Sequence, residues 1–154
     1  MKDVWKMGML LVVCPIIFNV LVVSTTLLLH EAGHFFIGML VGCKNVKLVL
    51  FDSALGTYTE MNCPNEQQLY FPLIGSFLFA LPFFLLFLIL TKFPERNFFW
   101  ISLGFNFLIS VSDIPPILPL DILQIVSFGF GFILIIYGEI ILIDKLILFI
   151  HTKV

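Results

Sequence analysis

The segment Leu27–Val41, LLLHEAGHFFIGMLV, places His30, Glu31 and His34 inside an apolar stretch. On a helix, residues i and i+4 lie on one face, so the two histidines can offer imidazole nitrogens to one cation. Glu31 lies beside them and can exchange a proton with a water molecule held there. This H-E-x-x-H arrangement is typical of zinc hydrolases, so the segment predicts a Zn²⁺ site with Glu31 as general base.

The alternative is that these three side chains are satisfied by hydrogen bonds between helices. Two of the three histidines of the chain lie in this segment. Ionisable side chains are costly in an apolar helix and usually mark a functional site there. We therefore favour the metal site over purely structural hydrogen bonding.

A catalytic zinc site commonly has a third protein ligand. His151 lies near the carboxyl terminus, where we expect it to be solvated. The remaining candidates are the acidic residues outside the motif, and their spacing does not choose among them. They are Glu60, Glu66, Asp113, Asp121 and Glu139.

The composition indicates an integral membrane protein. The 154 residues are 60% hydrophobic and 12% charged, with a mean hydropathy of +1.13, whereas soluble domains have about 45–50% apolar and about 25% charged residues. A membrane span needs about 20 apolar residues, and the longer runs reach that length. The few, scattered cationic residues favour no nucleic-acid partner. The uncharged runs are Met7–Leu29, Gln67–Thr91, Asn97–Ser112 and Ile122–Gly138.

The pattern predicts an all-α polytopic membrane protein with three to four transmembrane helices, one of them broken, and a small membrane-associated β-hairpin. Lys2 and Lys6 resemble the start of a signal peptide, but the following apolar run is too long for one, so we expect a retained helix. The hairpin is predicted because branched and aromatic residues flank a turn at Ser53–Gly56; a plain loop is the alternative. The predicted helices are Met7–Gly42, Gln67–Thr91, Asn97–Ser112 and Ile122–Ile150, and the strands Val46–Asp52 and Thr57–Met61.

The broken helix is predicted at DIPPILPLD, Asp113–Asp121. Residues that precede proline avoid the α conformation, so the chain should leave the helix there. Irregular backbone at membrane depth is tolerated only where protein or water covers it, and such breaks often form binding sites. The alternative is a surface loop between two helices.

Two segments together resemble the site-2 protease family of intramembrane zinc metalloproteases. HEAGHFF, beginning at His30, is similar to the first motif of that family, and DIPPILPLD aligns with its second motif, N-x-x-P-x-x-x-L-D-G. In that alignment Asp113 takes the place of the asparagine, Pro116 of the proline and Asp121 of the aspartate. The family also has a membrane-associated β-region after the first motif, where the hairpin is predicted here.

The resemblance implies a role for each aligned residue. Asp121 would be the third zinc ligand beside His30 and His34, and Asp113 and Pro116 would contact substrate. The sequence departs from the family at Asp113 and at Ile122, which stands where the family has glycine. An additional acid near the site can repel Asp121 or raise its pKa.

The predicted function is a zinc metalloendopeptidase that hydrolyses a transmembrane or membrane-inserted peptide, with Zn²⁺ as cofactor. We treat residues 1–154 as a single membrane-embedded domain in the cell membrane. We expect no PDZ or CBS domain, so substrate selection would come from the membrane core or from a regulatory membrane partner. The alternatives are a catalytically silent relative that binds a membrane peptide as an immunity module, and a metal transporter.

Two further expectations concern the loop after the first motif. The resemblance implies that this loop is cytoplasmic, whereas Lys2 and Lys6 favour a cytoplasmic amino terminus by the positive-inside rule; we favour the orientation of the family. Cys43 and Cys63 flank the loop. They can pair, but without C-x-x-C spacing we expect reduced thiols.

Overall fold

The computed structural model describes residues 2–53, 56–90, 96–113 and 120–153. These residues form four helices and two strands, so the predicted mostly helical fold with a small hairpin is confirmed. The elements are α1 Lys2–Leu40, β1 Lys44–Asp52, β2 Gly56–Asn62, α2 Glu66–Leu90, α3 Arg96–Ser110 with a 3₁₀ turn at Val111–Asp113, and α4 Leu120–Lys153.

Helix α1 is continuous through Pro15 and ends at Leu40, two residues before Gly42. Gly42 has a φ of +83°, a left-handed conformation that costs glycine little. Its N–H bonds to the Met39 carbonyl at 3.2 Å, and the Cys43 N–H bonds to the Gly38 carbonyl at 3.0 Å. These two bonds form a Schellman motif, which stops the helix and directs the chain into β1.

Strands β1 and β2 pair antiparallel, with Leu48 opposite Thr59 and Lys44 opposite Asn62. This register brings the outer ends of the two strands together. Cys43 and Cys63 lie at those ends and form a disulfide, with their Cα atoms 4.3 Å apart. The expectation of two reduced thiols is therefore wrong, because strand pairing places them within bonding distance.

Consecutive helices run antiparallel and pack through close contacts. Between α3 and α4, Phe107 contacts Phe130 and Trp100 contacts Tyr137, with ring centroids 5.1 Å and 5.5 Å apart. The bundle therefore has two ends. The hairpin end holds the hairpin, the carboxyl ends of α1 and α3 and the amino ends of α2 and α4; the far end holds the opposite helix termini.

The interior is unusually polar and the exterior unusually apolar. Buried polar side chains include Thr26, Ser76 and Asn106, whereas large apolar side chains are exposed along α1, α2 and α4. By length and composition, one segment of the described chain, Leu11–Leu40, is able to cross a membrane. The predicted three to four spans are not confirmed beyond this one candidate.

Candidate metal centre

The two motif histidines lie one turn apart on the buried face of α1. His30 is 1% exposed and His34 is 6% exposed. Their rings meet edge to face, with centroids 4.8 Å apart. Since a buried imidazole needs partners for its nitrogen atoms, the surrounding helices must supply them.

The Nδ1 atom of each ring faces a hydrogen-bond acceptor. His30 Nδ1 lies 3.0 Å from Asn106 Oδ1, and His34 Nδ1 lies 3.0 Å from the Pro72 carbonyl oxygen. The Asn106 amide nitrogen donates to the Phe77 carbonyl at 3.3 Å, which orients Oδ1 toward His30. Both Nδ1 atoms are therefore donors, and both Nε2 atoms face the 3₁₀ turn that follows α3.

The two Nε2 atoms converge on one carboxylate oxygen. Asp113 Oδ2 lies 2.7 Å from His30 Nε2 and 3.2 Å from His34 Nε2. Around one zinc ion with bonds of about 2.0–2.1 Å, tetrahedral ligand atoms are separated by about 3.3 Å. The 3.2 Å separation is close to that value, whereas the 2.7 Å separation is that of a hydrogen bond.

The donor set is chemically suited to a divalent cation. With each Nδ1–H directed at an acceptor, contact of both Nε2 atoms with one carboxylate requires protons on both rings or a shared cation. Two imidazolium groups beside the carboxylates of Asp113 and Glu31 would bury four charges together, and burying charges costs free energy even when they are paired. A cation held by His30, His34 and a carboxylate satisfies all three groups, so these residues fit Zn²⁺.

Glu31 completes the cluster. It is 8% exposed, and its carboxylate can approach the same point as the imidazoles, since the potential ligand atoms of His30, Glu31 and His34 lie within 4.8 Å of one another. Its backbone carbonyl accepts a hydrogen bond of 2.9 Å from the Thr59 hydroxyl in β2. The hairpin is thereby attached to the helical turn that carries the motif.

A close approach of α1 and α2 positions this turn. A Cβ atom placed on Gly33 would lie 2.5 Å from Ser76 Cα, so only glycine allows the two backbones to come this close. The approach brings the Pro72 carbonyl to His34. Glycine is therefore required here by helix packing, at a position that the H-E-x-x-H motif leaves open.

The structure describes the side-chain contacts of some predicted third ligands but not of others. Asp113 contacts both histidines. Asp121 is the second residue of α4, and its side chain, like Pro116, lies outside the described residues. Glu139 lies near the far end, because its neighbour Gly138 packs against Ile101. The metal role of Asp121 and the substrate-contact roles of Asp113 and Pro116 remain predictions.

Sequence reasoning missed three contributors to the site: Asn106, Thr59 and the Pro72 carbonyl. Asn106 is fully buried in α3, and an amide within an apolar helix was a signal that could have identified it. Thr59 was included in the predicted strand without a role. A backbone carbonyl carries no side-chain signal, so the contribution of Pro72 is evident only from the fold.

Comparison with known proteins gives no family model that matches the chain, no matching curated protein and no matching solved structure.

Proposed function

We propose that this protein is a multi-pass membrane zinc endopeptidase that hydrolyses a transmembrane or membrane-inserted peptide. The observation that carries the proposal is the convergence of His30 Nε2 and His34 Nε2 on one carboxylate oxygen, with Glu31 beside them. Two imidazoles one helical turn apart, with an adjacent glutamate as general base, are the arrangement found in zinc hydrolases. The HEAGHFF and DIPPILPLD motifs support the same class.

The distribution of polar and apolar residues supports a membrane location. The exposed apolar residues include Val12 and Ile16 on α1, Ile74 on α2 and Ile125 and Ile133 on α4. Exposed apolar surfaces of this extent mark contact with lipid or with another protein. In lipid the backbone must be satisfied internally, as it is within the helices here.

Zn²⁺ would be held by His30, His34 and one carboxylate, and when bound it supplies Lewis-acid polarisation of the water and of the scissile carbonyl group. Asp113 is the carboxylate whose contacts the structure gives; Asp121 is the one that the resemblance implies. Asn106 and the Pro72 carbonyl hold the two imidazoles by Nδ1, so that each ring directs Nε2 inward. Such outer hydrogen bonds fix the tautomer and the ring orientation of a ligand.

Glu31 would take the proton of the attacking water and deliver it to the leaving amine. A substrate helix must first unwind, because its carbonyl groups are bonded to N–H groups four residues later. The hairpin lies directly beside Glu31 through Thr59. An extended substrate can pair with its strand edge, which would hold the scissile bond beside the cluster.

The decisive experiment measures zinc content and cleavage on the same detergent-purified protein. A pool of synthetic hydrophobic peptides serves as the probe, and mass spectrometry detects new termini. We expect about one zinc per chain and zinc-dependent cleavage by the parent, and retained zinc without cleavage for Glu31→Gln. Cleavage by Glu31→Gln would contradict the general-base role.

A second candidate function is a catalytically silent peptide-binding or immunity module. Two departures from the family motif, Asp113 and Ile122, favour it. In that case the parent and Glu31→Gln would bind zinc equally, and neither would cleave any peptide of the pool. Absence of zinc from a folded parent, even after zinc is added, would contradict the metal centre itself.

A further inference from the structure

The positive charges of the chain are distributed unequally between the two ends of the bundle. Of the seven lysines and arginines that the structure describes, five belong to the parts of the helices nearer the far end. Those five are Lys2, Lys6, Arg96, Lys145 and Lys153; the two at the hairpin end are Lys44 and Lys47.

In a multi-pass protein with short connections, this unequal distribution of charge predicts the orientation in the membrane. Short segments rich in lysine and arginine remain on the cytoplasmic side. The antiparallel order of the helices brings three regions to one end: the start of α1, the end of α2 with the start of α3, and the end of α4. Each of these regions contains cationic residues, so each predicts that the far end faces the cytoplasm.

The disulfide gives an independent indication. Cys43 and Cys63 join the two strand ends at the hairpin end. Disulfides form and persist in oxidising compartments and are rare where thiol reductants act, as in the cytosol. A bonded pair in the hairpin therefore places the hairpin on the side of the membrane away from the cytoplasm, in agreement with the charges.

We propose that the hairpin end, with the metal centre, faces the oxidising side of the membrane, so that the site acts on peptide segments presented on that side. This inference rests on the proposed function for its membrane location and its peptide substrate. The orientation is opposite to the one that the family resemblance implies. It restricts the substrate class to external peptides and to membrane segments that unwind toward the outer face.

Cysteine accessibility tests the orientation. In a Cys14→Ser background that retains the disulfide, Ser53→Cys places a thiol in the exposed hairpin turn and Thr152→Cys places one near the exposed end of α4. Spheroplasts of a bacterial host are treated with a membrane-impermeant maleimide before or after permeabilisation. We expect Ser53→Cys to react fully in intact spheroplasts and Thr152→Cys to react only after permeabilisation.

The outcomes separate the two proposals. The reverse labelling pattern, with normal zinc content in the purified variants, would overturn the orientation and leave the metallopeptidase proposal intact. Reaction of both thiols in intact spheroplasts would contradict the membrane-spanning arrangement itself. Protection of both would place both ends in the cytoplasm and would also overturn the orientation.

The disulfide is tested on the parent chain with a maleimide that adds mass. We expect one adduct, at Cys14, before reduction and three after reduction. Three adducts without reduction would overturn the oxidising environment that the proposal requires. The Cys43→Ser, Cys63→Ser double variant is the matched control and should give one adduct under both conditions.

Discussion

The two halves of α1 have opposite relations to their surroundings. In the amino-terminal half, Val12, Val20 and Leu21 are each 60% exposed, although all three are apolar. In the carboxyl-terminal half, Thr26 is completely buried and His30 is 1% exposed, although both are polar. One continuous helix thus exposes apolar residues in its first half and buries polar residues in its second.

The difference shows that the two halves are stabilised in different ways. The first half exposes large apolar side chains, and most of it belongs to the segment that is long and apolar enough to cross a membrane. The second half contacts α2, α3 and the hairpin, and its polar groups are satisfied by Asn106, by Asp113 and by the Pro72 carbonyl. Changes in the second half should therefore affect metal binding.

The largest effect is expected for the histidines themselves. His30→Ala and His34→Ala each remove one of the two imidazole ligands, so we expect complete loss of bound zinc from the purified protein. His151→Ala is the matched control, because His151 is exposed near the end of α4. Elemental analysis of the three variants checks this. Equal zinc in His34→Ala and in the parent would show that the cluster is held together by hydrogen bonds alone.

The next largest effect is expected on zinc affinity, where Asp113 and Asp121 should differ. From its contacts with both Nε2 atoms, we expect Asp113→Asn to lower zinc affinity by more than about 100-fold, beyond the usual effect of losing an outer-shell partner. Asp121→Asn should lower it less. Competition with a fluorescent chelator measures both variants. A larger loss in Asp121→Asn would assign the third ligand to Asp121, as the family resemblance implies.

The features that sequence reasoning predicted well are local. The pairing of His30 with His34 follows from helix periodicity, and the hairpin follows from a turn between two segments of strand-forming residues. Asp113 contacts His30 across 83 positions of sequence and Asn106 contacts it across 76. Spacing cannot predict such contacts, because they depend on how α1 and α3 pack. The Cys43–Cys63 bond was missed for a similar reason, since it depends on strand register.

A smaller effect is expected from Asn106, which contacts His30 and lies outside α1. Asn106→Leu leaves His30 Nδ1 without an acceptor, so we expect zinc affinity to fall by about 10–100-fold. Asn106→Asp keeps an acceptor oxygen and should retain more affinity than Asn106→Leu. The chelator competition is repeated on both variants, with thermal unfolding as the measure of folding. Equal losses in the two variants would mean that Asn106 only fills space.

The smallest effect is expected for stability, on replacing one glycine in each half of α1. A Cβ atom on Gly33 would lie 2.5 Å from the Ser76 backbone, whereas one on Gly8 meets nothing within 4 Å. We expect Gly33→Ala to destabilise the fold by about 1–3 kcal/mol, because the helices must separate. The same separation would draw the Pro72 carbonyl away from His34 and weaken zinc binding. Gly8→Ala should be neutral or stabilising by up to about 1 kcal/mol, since alanine favours helix. Unfolding of both variants in one detergent measures the difference, and equal stabilities would show that the close approach of α1 to α2 does not hold the metal centre.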